Sequence, residues 1–279
     1  MTPAIDPHSP PSHLSSYSTM DITREVSEVL ERGYCVLPSF LTPQQCQEVR
    51  DVHDQLVAAG VGRDLGDNGI LIHPLLPTDA RLSWLFSQPR IIAICAQALG
   101  SEVVLKHTGS RIDRAGVPGS LTRCGWHNHA FTPELNAIKS GDVRRGSRPT
   151  RLLTLFYPDG SSPEIGPLVV LPRRWDDPLA PPPGVEIMEA WPGEVVVEAP
   201  PGSAVIFTTD LWHSGMIGNR QRCRRLTGAH IQARSCAQTH PEDHVFDTPS
   251  LTAACRELPL LAELLGSGAH PILSGRWGA

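Results

Sequence analysis

From residue 102 onward the chain is cut into short apolar runs, 102–106, 151–157, 168–171, 194–198, 203–207 and 226–232, each of a length and pattern suited to a strand. Turn-forming joints such as Pro158-Asp159-Gly160 and Pro200-Pro201-Gly202 separate them. The 27 prolines and 24 glycines, set against 5% aromatic residues, carry this punctuation along the chain. The pattern favours a mainly β architecture with a helical margin, of the α+β or decorated-barrel layout.

The helical margin comes first. Ile22, Val26, Val29 and Leu30 recur at helical spacing and Gly33 is placed to end that turn. Tyr34 to Pro38 reads as a strand, and Thr42-Pro43-Gln44-Gln45 supplies an N-cap, a first-turn proline and a capping-box glutamine for a second helix with Cys46, Val49 and Leu56 inward. Residues 61–88 read as loop with a short helix near 83–86, and Ile91 to Leu99, closed by Gly100, as a third helix. Leu258 to Leu265 suggests a last helix interrupted by Pro259. Residues 1–20, rich in Pro, Ser and Thr without an apolar period, read as a disordered tail, leaving 21–279 as one domain. The polar stretch 132–149, with Arg144, Arg145 and Arg148, reads as a solvated loop or a lid over a pocket mouth.

Charge narrows the function. The 24 Lys+Arg against 29 Asp+Glu give a formal net charge of −5, which offers no broad attraction for nucleic acid or an anionic membrane and favours a small-molecule partner. No apolar run spans a bilayer and no secretory signal pattern opens the chain, so a cytoplasmic location is expected. Seven scattered cysteines without a Cys-x-x-Cys pair point to reduced thiols rather than a zinc ribbon.

Gly125-Trp126-His127-Asn128-His129 places two imidazoles at i and i+2, on one side of an extended segment. A third, His213, follows the apolar run Val205-Ile206-Phe207 at a separation of 86 residues from His127, which leaves room for several intervening strands. Twelve histidines make chance pairs common, and each alone is more often a packing or surface residue. Beyond His213 lie Arg220, Arg222, Arg224 and Arg225, leading into the run from Leu226. A buried guanidinium there suits a dicarboxylate co-substrate, because its planar fork takes a carboxylate with two hydrogen bonds.

With these residues in place the chain resembles the phytanoyl-CoA dioxygenase-like family of Fe(II)/2-oxoglutarate-dependent oxygenases over most of residues 24–235. The resemblance rests on Gly33 to Thr42, Ser110-Arg111-Ile112, Trp126-His127-Asn128-His129 at the family's Trp-His-x-Asp, Gly166 to Pro172, Pro201 to Phe207 leading to His213, and Arg224 eleven positions further on. Arg173-Arg174-Trp175 stands where the family has Gly-Ser-His after the proline.

The resemblance implies a double-stranded β-helix, cupin-like core holding Fe(II), with 2-oxoglutarate and O2 as co-substrates and hydroxylation of a small organic molecule as the default outcome. The implied metal ligands are His127, His129 and His213, with Arg224 on the distal carboxylate of 2-oxoglutarate. A one-residue register slip would put Arg225 in its place. Asn128, Arg111 and Thr154 are further candidates for contact with the co-substrate. Lys106, His107 and His230 read as structural, and Cys124 and Cys223 carry no assigned chemistry. His129 departs from the family's carboxylate: either it completes a three-histidine triad, or it marks a degenerate, non-redox relative acting as an isomerase, a ligand-binding protein or a partner subunit. It also fills the space that family halogenases leave for chloride. A cupin-like three-histidine enzyme without 2-oxoglutarate is a third alternative, which leaves the spacing of Arg224 unexplained. A homodimer or pairing with a homologue is compatible with any of these.

Overall fold

The computed structural model describes residues 21–66, 69–114, 122–129, 148–177, 179–217, 222–236 and 243–265. The expected tail at 1–20, and residues 132–147 of the arginine-bearing stretch, lie outside them. In chain order the elements are α1 (Thr23–Arg32), β1 (Tyr34–Leu37), α2 (Pro43–Ala58), β2 (Arg63–Asp64), β3 (Ile70–Ile72), α3 (Ser83–Phe86), α4 (Pro89–Leu99), β4 (Val103–Asp113), β5 (Thr122–Arg123), β6 (Arg151–Tyr157), β7 (Leu168–Val170), β8 (Val195–Val197), β9 (Ser203–Thr208), β10 (His213–Ile217), β11 (Arg224–Ala233), α5 (Pro249–Glu257) and α6 (Pro259–Leu264).

The local chemistry explains the helix ends. The Thr42 hydroxyl accepts from the Gln45 amide while the Gln45 side chain accepts from the Thr42 amide, a reciprocal box at the start of α2. Gly33 ends α1 in the left-handed region with φ 81° and donates to the Val29 carbonyl. A Cβ at Gly33 would lie 2.7 Å from Leu211 Cδ1 and 3.2 Å from the Arg173 carbonyl. Gly33→Ala is therefore expected to cost about 1–3 kcal/mol through backbone strain, with crowding added, read as a lower urea midpoint; an unchanged midpoint would contradict the assigned turn. Pro259, expected to interrupt the last helix, instead opens α6 at a first-turn position where its missing N–H costs nothing, and α5 precedes it.

Among the described residues the strand pairs are antiparallel and form two sheets, one ordered β1-β9-β6-β11-β4-β3-β2 and the other β5-β10-β7-β8. The period of two along each strand sorts side chains between two environments. On β6, Leu153, Leu155 and Tyr157 join Phe207, Leu168, Val170 and Val197 in a cluster between the sheets. Leu152 and Phe156 face the other way, into a larger core with Val29, Val49, Ile92 and Leu261 from the helices. Every residue of β6 is buried, which is why it reads as a continuous apolar run, and each large apolar side chain there contributes about 1.5–3 kcal/mol.

Three strand expectations are corrected: β2 and β3 lie within 61–88, expected to be loop, and β3 pairs with β4. β4 continues from the expected 102–106 to Asp113, because its outer half alternates His107, Gly109, Arg111 with Thr108, Ser110, Ile112 and lacks an apolar run. The strand before His213 stops at Thr208; a turn closed by the Leu211 amide on the Thr208 carbonyl passes the chain to the second sheet, where His213 opens β10. All seven cysteines are free thiols, as expected. No described helix is long and apolar enough to cross a membrane.

Candidate metal centre and adjoining pocket

His127 and His213 lie directly opposite each other in an antiparallel bridge. Each amide donates to the other's carbonyl, at 3.0 Å from His127 and 2.9 Å from His213. Side chains at such paired positions share one face. His129, two residues on, is held by its amide on the Thr209 carbonyl at 2.6 Å and returns to that face. One nitrogen from each of the three rings falls within 4.8 Å of the others. The ring centroids of His127 and His213 are 4.3 Å apart and those of His129 and His213 5.0 Å.

The alternation that brings the histidines inward sends the preceding tryptophans outward. Trp126 stacks on Trp191 at 4.7 Å and donates to the Glu189 carbonyl, while Trp212 meets Trp191 edge-on at 5.3 Å and donates to the Leu179 carbonyl. The two Trp-His dipeptides thus clamp the 179–191 segment with one residue and present a ligand with the next.

Backbone carbonyls set the tautomers. His127 Nδ1 lies 3.0 Å from the Gly125 carbonyl and His213 Nδ1 2.9 Å from that of Leu211. A carbonyl only accepts, so each Nδ1 carries the proton and each Nε2 keeps its lone pair, the arrangement a metal-ligating histidine requires. His127 keeps an exposed edge, yet the protein packed around its ring desolvates it and lowers its pKa, and the Arg111 charge adds to this against the Gly125 contact. His213 is held well below its ordinary value by burial and then by His127 and His129. Three imidazoles converging in this way, two of them with the Nε2 lone pair turned from the backbone, form a donor set suited to a borderline divalent cation.

The triad opens on a cavity of about 220 Å³ between the sheets. Arg224, Leu226, Gly228 and His230 of β11 and His107, Gly109 and Arg111 of β4 line it. Arg224 is buried at its far part, with Nε donating to Asp113 Oδ2 at 2.8 Å, Nη2 to the same oxygen, and Nη1 to the Gly166 carbonyl. Arg111 Nε reaches the other oxygen of Asp113 at 2.5 Å. Two guanidiniums therefore share one fully buried carboxylate. The Arg224 bonds engage three of its five N–H groups.

The other candidates divide by strand parity. Arg225 points to the opposite face and pairs with Asp54 at 2.7 Å and Asp159 at 3.4 Å, so Arg224, not Arg225, serves the pocket. Thr154 also lies on the helix-facing side of β6, donating to the Ala229 carbonyl at 3.3 Å, and does not line the cavity. Asn128, between the two histidines, is buried away from the cavity lining. Arg148, taken with the possible lid, binds the carbonyls of Gln97 and Ala98 at the end of α4 instead, where a cation complements the helix dipole. His107 and His230, expected to be structural, line the pocket, His230 with its ring 5.3 Å from that of His129. Asp113 and Tyr157 went unremarked in the sequence; their positions, two beyond Arg111 and Leu155 on the same strands, are the signal that would have found them.

Behind this wall His53 of α2 is fully buried, with Nε2 at 2.9 Å from Ser110 Oγ and 3.1 Å from Thr227 Oγ1. Burial, with the Arg225 charge second, lowers its pKa to about 4. The unfolded chain, with a histidine pKa of about 6.5, takes up a proton that folded His53 refuses. Its contribution to stability is thus full above pH 6.5 and falls as the pH drops from about 6.5 to about 4, by about 3 kcal/mol in all. Urea midpoints of the wild type and His53→Gln across this range should converge as the pH falls; parallel curves would contradict the assignment.

No family model matches the chain and no curated protein does. Solved structures do. SnoN, a non-haem alpha ketoglutarate dependent epimerase from nogalamycin biosynthesis, is 19% identical with a TM-score of 0.59, covering 92% of this chain and 94% of its own. EctD from S. alaskensis, solved with bound Fe, is 17% identical with a TM-score of 0.58, covering 78% of this chain and 79% of its own. HygX from Streptomyces hygroscopicus, solved with nickel and 2-oxoglutarate, is 13% identical with a TM-score of 0.59, covering 75% of this chain and 86% of its own. At these identities the likeness establishes a shared fold.

Proposed function

We propose that this chain is an Fe(II)- and 2-oxoglutarate-dependent oxygenase, built on a double-stranded β-helix, that hydroxylates a small organic molecule. The observation that carries the reading is the convergence, on one cavity, of three imidazoles with a buried guanidinium. The fold supports it, being that of SnoN, EctD and HygX.

The residues present fit both groups. Iron(II) is a borderline cation for which imidazole is a competent ligand, and the carbonyl contacts of His127 and His213 orient two of the three donors toward it. Bound there, the metal with 2-oxoglutarate and O2 supplies the oxidising power that no side chain has. The protein's part is placement. Arg224, with two N–H groups left by Asp113 and Gly166, takes the distal carboxylate of 2-oxoglutarate in a fork that fixes the keto acid's direction. Leu153, Leu155, Leu168 and Leu226 exclude water along the cavity and strengthen that charge pairing.

His129 changes the balance of charge. Three neutral imidazoles leave a divalent ion at +2, where a carboxylate ligand would leave +1, and the guanidiniums of Arg111 and Arg224 line the same cavity. Dianionic 2-oxoglutarate offsets this positive field, so the triad and the arginine wall favour the same co-substrate.

The test is anaerobic reconstitution of the purified chain with Fe(II), followed by 2-oxoglutarate and air. The expected results are one bound iron dependent on the triad and formation of succinate on exposure to O2. Absence of both iron binding and 2-oxoglutarate turnover with candidate substrates would overturn the reading.

A further inference from the structure

A second group of three imidazoles shares the pocket wall with the triad through His107 and has no ligand in common with it. His73 follows β3, His107 lies on β4, and His244 belongs to the segment that runs beside β4, its amide donating to the Lys106 carbonyl at 2.8 Å. His73 Nε2 is 3.2 Å from His107 Nδ1 and 2.9 Å from His244 Nε2, and one nitrogen from each ring lies within 4.8 Å of the others. We propose that His73, His107 and His244 form a second metal site, taking a borderline divalent cation of the zinc class through three imidazole nitrogens.

The proton inventory favours a cation there. The Thr108 amide donates to His244 Nδ1 at 3.2 Å, so without a metal the proton of neutral His244 sits on Nε2 and points at His73 Nε2. His73 Nε2 is then an acceptor with a single in-plane lone pair, and His107 Nδ1 competes for it. The three ring nitrogens meet in one space. A cation uses all three lone pairs instead. At a metal–nitrogen distance of about 2.0–2.1 Å in tetrahedral geometry the nitrogens stand about 3.3 Å apart, within a few tenths of an ångström of the two measured separations.

The ring packing and one hydrogen bond oppose the site: His107 and His244 stack with centroids 4.6 Å and planes 26° apart, so a ring must turn before both lone pairs meet one ion. Coordination through Nε2 puts the His244 proton on Nδ1, against the Thr108 amide, and losing that bond lowers affinity by roughly ten- to a hundredfold. Three metal–nitrogen bonds replace it. The charge of nearby Arg151 is balanced by Asp243 at 2.5 Å. His73 is exposed and the other two rings half-buried, so an ion can enter from solvent and retain water in a fourth position. Bound there, it ties the 243–246 segment to the β3–β4 edge.

Chelator-stripped protein is titrated with Zn(II) and bound metal counted after dialysis, alongside His73→Ala, His244→Asn and His213→Ala. The site requires that His73→Ala and His244→Asn each bind one equivalent fewer than the wild type, while His213→Ala keeps that equivalent. Circular dichroism and melting curves establish that the variants fold, and exposed His73 carries the test if His244→Asn does not. Zn(II) should also raise the melting temperature of His213→Ala but not of the double variant with His73→Ala. If His73→Ala binds as much Zn(II) as the wild type, the site does not exist. A wild type with one equivalent, lost in His73→Ala and kept in His213→Ala, upholds this site while contradicting the iron reading.

Discussion

Replacing His213 by alanine is expected to lower 2-oxoglutarate turnover more than about 100-fold, the upper end of what loss of an outer-shell partner of a metal ligand costs. His213 is the most buried member of the triad, its Nδ1 committed to the Leu211 carbonyl. No other described imidazole stands opposite His127 in the backbone bridge, so nothing replaces it. The fold should survive, because His213 is held by backbone bonds that alanine keeps; the check is a near-native melting curve beside lost iron binding and succinate release. Iron kept by His213→Ala when His73→Ala has also removed the second trio would contradict the proposed centre.

Replacing Asp113 by alanine is expected to destabilise the protein by about 3–5 kcal/mol, because it strips the counter-ion from a buried guanidinium. Asp113 has no exposed surface and Arg224 is 3% exposed, so water cannot take the carboxylate's place. For a domain of this size the loss corresponds to a fall in melting temperature of roughly 10 °C. Arg111, more exposed and facing the cavity, tolerates the change better. The second measurement is Asp113→Leu with Arg224→Met, expected to be less destabilised than Asp113→Ala because no unpaired charge remains. A single variant as stable as the wild type would show that the pair does not organise the pocket wall.

Much of the site was legible because motif spacing and strand parity are both written in one dimension. Gly125-Trp126-His127-Asn128-His129 and Trp212-His213 mark the residues that the structure brings within 4.8 Å. Arg224 was separated from Arg225 by spacing alone, and the alternation of β11 puts it in the cavity lining. Thr154 was misjudged because one strand parity on β6 faces the helices and the other the second sheet, and a strand buried on both faces gives no polar signal to tell them apart.

His73, His107 and His244 had no such legibility. They lie far apart along the chain, on a loop, a strand and a segment without regular structure. Asp113 likewise has no motif; it matters because β4 pairs with β11 in a register that sets it opposite Arg224.

The amino-acid order determined the run of short strands, the capping of α1 and α2, and the side of the chain on which His127 and His129 stand together, since these follow from local propensity and a period of two. Tertiary structure alone decided that His213 lies opposite His127, that Asp113 joins two arginines, and that a second trio of histidines meets. These are contacts between distant segments, fixed by sheet register and core packing rather than by neighbours in sequence.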